Sequence, residues 1–289
     1  MFLNGYWQLD TNGDGIWDAG DRYFNFLISG VGDKPLVGDW NGDGHAKTGV
    51  YRKGFWALDY NGSGGWDGAN VDRFYAFGGN PGEIPIVGDW NGDGRAKIGV
   101  YNNGFWSLDY NGNGKWDYPL DHFYAFGGNV GEIPVLGDWN GDGRTKIGFY
   151  LNGLWVLDYN GNGIFEGSVI DRYSMHTMGA GEKPIVGDWT GDGKSKIGVW
   201  KSGFWALNTN GTGTYRTTDQ FYAFGGNPGE VPIVGDWNGD GRTKIGFFLN
   251  GFWTLDFNGN GQWEGSGAGR DRFIALGGNP GEQPVLGKW

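Results

Sequence analysis

The sequence repeats itself along its whole length, with a period of about 50 residues. The phrase GDWNGDG recurs with small changes at Gly38, Gly88, Gly137, Gly187 and Gly235. The phrase GxWxLDxNGxG likewise recurs at Gly5, Gly54, Gly104, Gly153, Gly203 and Gly251. A fixed period of this length is typical of stacked supersecondary units. We therefore expect one array of six similar units rather than a conventional globular topology.

Each repeat contains four runs of strand length, which we name strands A to D. In a representative repeat they are Ile84 to Trp90, Lys97 to Tyr101, Phe105 to Tyr110 and His122 to Phe126. The runs are rich in β-branched and aromatic residues and are bounded by Gly, Asn, Asp and Pro, and no helical spacing of useful length interrupts them. The pattern predicts an all-β fold, a six-bladed β-propeller of four-stranded antiparallel blades.

The two ends of the chain each supply part of a repeat. Phe2-Leu3-Asn4-Gly5 matches Phe248-Leu249-Asn250-Gly251 late in strand B, and Pro284 to Trp289 matches a strand A. We therefore expect residues 1–289 to form a single propeller domain, in which the last strand A, 284–289, completes the blade begun by 1–27. Such pairing closes the ring and removes exposed sheet edges. The alternative is pairing between molecules, which would give a swapped dimer or a filament.

Composition narrows the classes of partner and compartment. Although the chain has 62 Gly, its 17 Trp, 14 Tyr and 19 Phe provide enough apolar surface for a folded core. A formal net charge of −11 disfavours nucleic acid and anionic membranes as partners. Cysteine is absent, so neither disulfides nor thiolate zinc sites are expected. The sequence has no long apolar run that predicts membrane insertion, and MFLNGYWQLD lacks the features of a signal peptide.

One repeat resembles a known family. The run Phe77-Gly78, followed by GDWNGDG and then Ile98-Gly99-Val100-Tyr101, is similar to the FG-GAP repeat of integrin α-subunit propellers and of many bacterial surface proteins. The resemblance extends over essentially the whole chain and implies a propeller, although integrin propellers have seven blades and we count six here. The family includes adhesion modules, enzyme appendages and surface proteins, so it does not fix a function.

The loop between strands A and B, the AB loop, has the family's calcium-site pattern with one change. In the family the pattern DxDxDGxxD gives side-chain oxygens at positions 1, 3, 5 and 9 and a backbone carbonyl at position 7. Here the first three oxygen positions are Asp39, Asn41 and Asp43; Asp89, Asn91 and Asp93; Asp138, Asn140 and Asp142; Asp188 and Asp192; and Asp236, Asn238 and Asp240. Position 9 is a lysine in every copy: Lys47, Lys97, Lys146, Lys196 and Lys244.

A lysine in place of an acid changes the local charge by two units and opposes metal binding. Our hypothesis is that the ammonium group occupies the place of the cation and pairs with the two Asp carboxylates. The alternative is that the lysine points to solvent and that calcium binds with fewer ligands.

The loop between strands C and D, the CD loop, keeps the acid at position 9. Asp10, Asn12, Asp14, the carbonyl of Ile16, Asp18 and Asp21 match the oxygen spacing of an EF-hand loop, although strands flank them. Weaker versions are Asp59, Asn61, Ser63 and Asp67; Asp109, Asn111, Asn113 and Asp117; Asp158, Asn160, Asn162 and Glu166; and Asp256, Asn258, Asn260 and Glu264. The remaining copy, Asn208, Asn210, Thr212 and Arg216, has lost both acids, and we expect no metal there.

The CD loops predict Ca²⁺ because acids at positions 1 and 9 are not needed to close a hairpin. The alternative is that the Asn-Gly and Asp-Gly turns simply connect strands. Exposed loops of low charge suit millimolar calcium, so we expect an extracellular or cell-surface location. An acid also precedes each strand A, and these acids are expected to form a solvated rim: Asp33, Glu83, Glu132, Glu182, Glu230 and Glu282.

No catalytic constellation recurs in the repeats. His45, His122 and His176 lie at unrelated positions of the unit, and near-equivalent blades favour repeated binding over catalysis, so we do not expect an enzyme. The sequence predicts a calcium-stabilised extracellular recognition or adhesion module, which binds a glycan or protein through its loops or aromatic grooves. The alternatives are a structural subunit of a surface layer or filament, assembled through the terminal half-blades, and an engineered consensus scaffold.

Overall fold

The computed structural model describes residues 1–26, 32–214 and 217–289, so residue 27 of the predicted blade boundary and Arg216 lie outside the described residues. Those described residues form 23 strands in six antiparallel sheets, and no helix is present among them. None of their elements is a helix long and apolar enough to cross a bilayer. The predicted all-β, six-bladed propeller is confirmed.

Five blades have four strands each. Blade 1 contains β4 (Lys34–Gly38), β5 (Lys47–Arg52), β6 (Phe55–Leu58) and β7 (Arg73–Ala76). Blade 2 contains β8 (Ile84–Gly88), β9 (Lys97–Asn102), β10 (Phe105–Leu108) and β11 (His122–Ala125). Blade 3 contains β12 (Ile133–Gly137), β13 (Lys146–Leu151), β14 (Leu154–Leu157) and β15 (Arg172–Met175).

The remaining blades follow the same order. Blade 4 contains β16 (Lys183–Gly187), β17 (Lys196–Lys201), β18 (Phe204–Leu207) and β19 (Gln220–Ala223). Blade 5 contains β20 (Val231–Gly235), β21 (Lys244–Leu249), β22 (Phe252–Leu255) and β23 (Arg272–Ala275). Blade 6 is built from β1 (Phe2–Leu3), β2 (Tyr6–Leu9), β3 (Arg22–Asn25) and a bridge to Gln283.

Alternation along strand C places one aromatic residue inside and the next outside. In β10, Trp106 is fully buried whereas Phe105 is 52% exposed. Successive side chains of a strand point to opposite faces of the sheet, so the Phe-Trp-x-Leu pattern buries its Trp and Leu. The buried indole is also satisfied, since Trp106 Nε1 donates to the carbonyl of Phe126 at 2.9 Å.

The chain divides into two compact units. The first comprises Met1–Gly128 with Leu276–Trp289, and the second comprises Asn129–Ala275. Within the first unit β4 lies beside β8, and within the second β16 lies beside both β12 and β20. The A strands are thus the inner strands of each unit, and strands C and D are the outer ones. The assignment of residues 1–289 to one domain stays a prediction.

The terminal half-blades pair within one chain, but the last segment is not a strand. The backbone N–H groups of Phe2 and Gln283 each donate to the other's carbonyl at 2.9 Å. This register matches the pairing of Lys34 with Tyr51 in blade 1. Among the described residues, no strand is assigned over 284–289 beyond the bridge at Gln283, and the expectation that 284–289 completes the blade begun by 1–27 stays a prediction. Val285 and Trp289 instead pack on the apolar cluster around Phe2.

Two further expectations need correction. Strand A ends at Gly88 rather than Trp90, because the carboxylate of Asp89 accepts backbone N–H groups from Gly92 at 2.9 Å and Gly94 at 2.8 Å and turns the chain. The solvated acidic rim is also wrong, since four of its six members are buried: Asp33, Glu83, Glu132 and Glu230. Glu83 accepts from Gly79 N at 2.5 Å and from Asn80 Nδ2 at 2.7 Å, and so holds the linker between blades 1 and 2.

Candidate functional site

Each AB loop has a lysine ammonium at its centre. In blade 2, Lys97 Nζ lies 3.1 Å from Asp89 Oδ1 and 2.6 Å from Asp93 Oδ1, and it donates to the carbonyl of Arg95 at 3.0 Å. The Lys97 side chain is only 3% exposed. The same two ion pairs form at Lys47, Lys146, Lys196 and Lys244. The alternative in which the lysine points to solvent is therefore wrong.

The lysine ammonium lowers the pKa of an aspartate in the AB loop. A hydrogen bond from Lys47 holds the pKa of Asp43 at about 2, and a hydrogen bond from Lys244 holds the pKa of Asp240 at about 2. A carboxylate that accepts a charged donor is favoured in its ionised form. In each AB loop the chain itself thus supplies one positive charge between the two carboxylates. Whether they also bind metal stays a prediction.

In four CD loops the acid at position 1 is buried and accepts hydrogen bonds from the backbone: Asp59, Asp109, Asp158 and Asp256. Asp109 Oδ1 accepts from Gly112 N at 2.9 Å and Asn113 N at 3.1 Å, and its Oδ2 accepts from Gly114 N at 2.7 Å. Desolvation by burial raises the pKa of Asp109 to about 6, and it raises that of Asp256 to about 6 in the equivalent loop of blade 5. These carboxylates order the loop through their hydrogen bonds to the backbone.

The acid at position 9 gathers the side chains at positions 3 and 5. Asp67 Oδ2 accepts from Asn61 Nδ2 at 2.8 Å and from Ser63 Oγ at 2.6 Å. Glu166 similarly accepts from Asn160 at 2.6 Å and Asn162 at 2.8 Å. The structure therefore brings positions 3, 5 and 9 together, as the sequence predicts, but through hydrogen bonds among themselves.

The first CD loop has the most carboxylates. Asp10 Oδ1 accepts from Gly13 N at 2.7 Å and its Oδ2 from Gly15 N at 2.8 Å, while Asp21 accepts from Thr11 N at 3.1 Å and Asp18 N at 3.0 Å. Over the described ranges, no three His, Cys, Asp or Glu side chains form a group that could hold a metal. The carboxylates predicted as ligands, Asp10, Asp14 and Asp18, are therefore not gathered into one metal-binding group, and calcium would need further oxygens, such as those of Asn12 and Ile16. This binding stays a prediction.

A second feature, which sequence reasoning missed, is a set of exposed aromatic pairs on strands C and D. The rings of Phe105 and Phe123 stack with centroids 5.7 Å apart at 15°, and both are more than half exposed. Equivalent stacked pairs are Tyr6 with Tyr23, Phe55 with Phe74, and Phe252 with Phe273. The Phe-Trp-x-Leu pattern could have predicted these pairs, because adjacent residues of a strand face opposite sides of the sheet and a buried Trp leaves the neighbouring Phe on the other face.

The pair in blade 2 borders an open cleft of about 440 Å³, which we call the Phe105 cleft. Its other lining residues are Asn80, Glu83, Val100, Asn102, Asn103 and Ser107. The Asn102 amide donates to the carbonyl of Pro81 at 3.4 Å, and the Asn80 amide donates to Glu83 at 2.7 Å. The cleft thus combines an aromatic platform with amide and carboxylate groups held in place by the linker.

A tryptophan supports this platform. Trp116 lies edge-on to Phe123 at 6.5 Å and 88°, and tilted against Phe77 at 6.2 Å. Trp116 is itself 45% exposed. Large exposed apolar patches on a folded protein mark interaction surfaces, and tilted or edge-on aromatic contacts fix the rings in place. The arrangement suits a ligand with one apolar face and a polar rim.

Comparison with known proteins supports the fold. No family model matches the sequence and no curated protein matches it significantly, so the FG-GAP resemblance stays a prediction. Among solved structures, the chain is similar to an Agrocybe aegerita lectin with specific recognition of non-reducing terminal N-acetylglucosamine. The match has a TM-score of 0.51 and 21% sequence identity, and covers 86% of this chain and 67% of the lectin chain. At this identity, the likeness is one of fold.

Proposed function

We propose that the protein is a non-catalytic glycan-binding module that engages sugars through the exposed aromatic pairs of its blades. The observation that carries this proposal is the stacked Phe105–Phe123 pair, with centroids 5.7 Å apart, at the edge of a cleft lined by three asparagine side chains. A pyranose ring has one face rich in C–H groups and an equator of hydroxyls. Such a ligand matches an aromatic platform rimmed by amide donors and acceptors.

Repetition strengthens the proposal. Four blades present a stacked pair at the same register, so a branched or surface-bound glycan meets several copies of one weak site. Linked weak sites raise the overall affinity without any new contact. The Agrocybe aegerita lectin, which is similar in fold, recognises non-reducing terminal N-acetylglucosamine, and this supports testing that sugar first.

Calcium and location complete the proposal. In the proposed function, Ca²⁺ binds the CD loops, the first one above all, and stabilises the blades in a calcium-rich extracellular or cell-surface setting. The ion is assigned no contact with the sugar. Its role is to hold the CD hairpins whose strands position the aromatic pairs.

The test is binding to an array of glycans and to a surface coated with N-acetylglucosamine. The double variant Phe105→Ala, Phe123→Ala removes one of the four stacked pairs and should lower the avidity for the coated surface about tenfold, because one linked site is lost. The control is Tyr118→Ala, which removes an aromatic ring that is 82% exposed in the same blade but lies outside the cleft. It should leave binding unchanged.

Blade 3 provides a gain-of-function arm, because it has Leu154 where the other blades have an aromatic residue at the start of strand C. The substitution Leu154→Phe places a second ring near Tyr173 and should add avidity on the coated surface. The proposal fails if the unmodified protein binds no glycan on the array, or if the double variant binds as tightly as its parent.

A further inference from the structure

The second unit contains a cavity of about 520 Å³ between blades 3 and 4, which we call the Ser174 pocket. The equivalent groove between blades 1 and 2, in the first unit, has a volume of only about 60 Å³. Both are lined by the same repeat positions, such as Trp139 and Lys196 in the larger and Trp40 and Lys97 in the smaller. The repeats therefore serve as internal controls for what opens the pocket.

One side chain that lines both cavities differs greatly in size between them. The third residue of strand D is Phe24, Tyr75, Tyr124, Tyr222 or Ile274 in five blades, and it is Ser174 in blade 3. The Tyr75 ring lies against Gly114, because a Cβ built on that glycine would be 2.0 Å from Tyr75 Cδ1. A Cβ built on the equivalent glycine, Gly213, would be 2.1 Å from Ser174 Oγ. The backbone is kept and the ring is missing.

The charge of the pocket changes at a second position. The buried acid Asp109 of the small groove is replaced by Asn208, whose Oδ1 accepts from Gly213 N at 3.1 Å as Asp109 accepts from Gly114 N at 2.7 Å. The loop keeps its hydrogen bond but loses a negative charge. Both substitutions face the same cavity, so the pocket is widened and made less acidic together.

The remaining charges make the pocket basic in an acidic protein. Its lining has three basic side chains, Arg172, Lys194 and Lys196, and one acid, Asp192, whereas the small groove has two of each. Lys196 pairs with two carboxylates, Asp188 at 3.2 Å and Asp192, and this group together carries one negative charge. The positive groups that remain for a ligand are Arg172 and Lys194.

Arg172 is held in position by its own blade. Its guanidinium lies over the Tyr159 ring, with the central carbon 4.0 Å from the centroid, and it donates to the Asp171 carbonyl at 3.3 Å. A fixed guanidinium is a good partner for a carboxylate or phosphate, since its planar donors match such anions in pairs. Hydroxyl and amide groups of Ser168, Ser174 and Asn210 also line the cavity. The volume is in the range of small-molecule sites.

We propose that the Ser174 pocket is a single binding site for an anionic monosaccharide, a sugar that carries a carboxylate or a phosphate. Arg172 and Lys194 bind the anionic group, and the hydroxyl and amide lining receives the sugar hydroxyls. The site is separate from the Phe105 cleft, and the equivalent groove between blades 1 and 2 is much smaller. The Ser174 pocket therefore gives the protein selectivity for acidic sugars, in addition to the aromatic sites that recur in several blades.

The experiment is calorimetric titration of the full chain at low salt with four probes: glucuronate, glucose 6-phosphate, glucose and inorganic phosphate. At least one of the two acidic sugars should bind with one-to-one stoichiometry and about tenfold or more tighter than glucose. Which of them binds more tightly identifies the anion. Equal binding of glucose overturns the charge assignment, and binding of inorganic phosphate as tight as that of both acidic sugars overturns the sugar assignment.

Three variants locate the site. Ser174→Tyr restores the ring of the other blades and should abolish binding, while Asn208→Asp restores the acid and should weaken it about tenfold. Tyr75→Ser opens the equivalent groove but leaves Asp109 in place, so it should create no new site for the acidic sugars. Unchanged melting temperatures show that each variant is folded. Full binding by Ser174→Tyr overturns the proposal.

Binding of an acidic sugar in the Ser174 pocket does not depend on glycan binding by the exposed aromatic pairs. The Phe105→Ala, Phe123→Ala variant should titrate with the acidic sugar as the parent does. Loss of one-to-one binding in that variant would show that the anionic sugar occupies the Phe105 cleft instead, and would overturn the assignment to the Ser174 pocket.

Discussion

Replacement of Lys97 by Met tests whether the AB loop lysine stands in for a metal ion. The substitution keeps most of the aliphatic stem and removes an ammonium that contacts Asp89, Asp93 and the Arg95 carbonyl at 2.6–3.1 Å. A hydrogen bond to a charged group contributes about 1.5–3 kcal/mol, and removal of one partner of a buried ion pair costs about 3–5 kcal/mol. Asp89 and Asp93 are 20% and 44% exposed, so water offsets part of the loss.

We therefore expect Lys97→Met to lower the free energy of unfolding by about 2–3 kcal/mol. For a chain of this size the melting temperature should fall by roughly 4–12 °C. Urea and thermal unfolding measure both quantities. The matched control is Lys115→Met in the same blade, which removes an exposed lysine and should change stability by no more than about 0.5 kcal/mol.

A charge-reversing variant makes the test specific. Lys97→Asp places an acid at position 9 of the loop and should be destabilised without metal, because it adds a third carboxylate to Asp89 and Asp93. Calcium at a hundredfold excess over its dissociation constant should then restore about 2.7 kcal/mol. The reasoning is refuted if Lys97→Met is as stable as the Lys115 control, or if Lys97→Asp does not respond to calcium.

Three further predictions concern other loops. Because burial raises the pKa of Asp109 from 3.8 to about 6, the folded state binds that proton more tightly than the unfolded state. The stability of the parent relative to Asp109→Asn should therefore fall as pH rises through this interval, measured by urea unfolding at several pH values. Calcium added to chelator-treated protein should raise the melting temperature, and less so in Asp10→Asn, Asp18→Asn; a temperature unmoved by calcium would leave these loops as plain turns. Gly104→Ala should destabilise more than Gly44→Ala, because both have positive φ but only the first new Cβ meets backbone, 2.4 Å from Gly128 N.

The fold was predictable because the sequence patterns that specify the strands and turns are local and recur from one repeat to the next. The alternation of Phe and Trp in strand C and the turn residues around each strand recur in nearly every unit. A copy with an ambiguous pattern can therefore be interpreted from the others. The errors in the predicted strands were at the ends of strands and of the chain. Asp89 ends its strand early by accepting hydrogen bonds from Gly92 and Gly94, and over residues 284–289 no strand is assigned beyond the bridge at Gln283.

The candidate sites differ in how far sequence reasoning reached. The pairing of Lys97 with Asp89 and Asp93 was predictable, because all three residues belong to one short loop whose turn fixes their separation. The exposed Phe105–Phe123 pair was missed. Both residues read as core aromatics until the register of β10 and β11 shows that they share the uncovered face.

The sequence by itself determined most of the secondary structure, the number of blades and the pairing of lysine with aspartate in the AB loops, since each depends on residues close together in the chain. Only the tertiary structure decided which aromatic rings are left uncovered and which groove between blades is open. Those features depend on contacts between residues tens of positions apart. Tyr75 fills its groove because it packs on Gly114 of the next blade, and Ser174 opens its own because Gly213 offers the same surface to a side chain that does not reach across it.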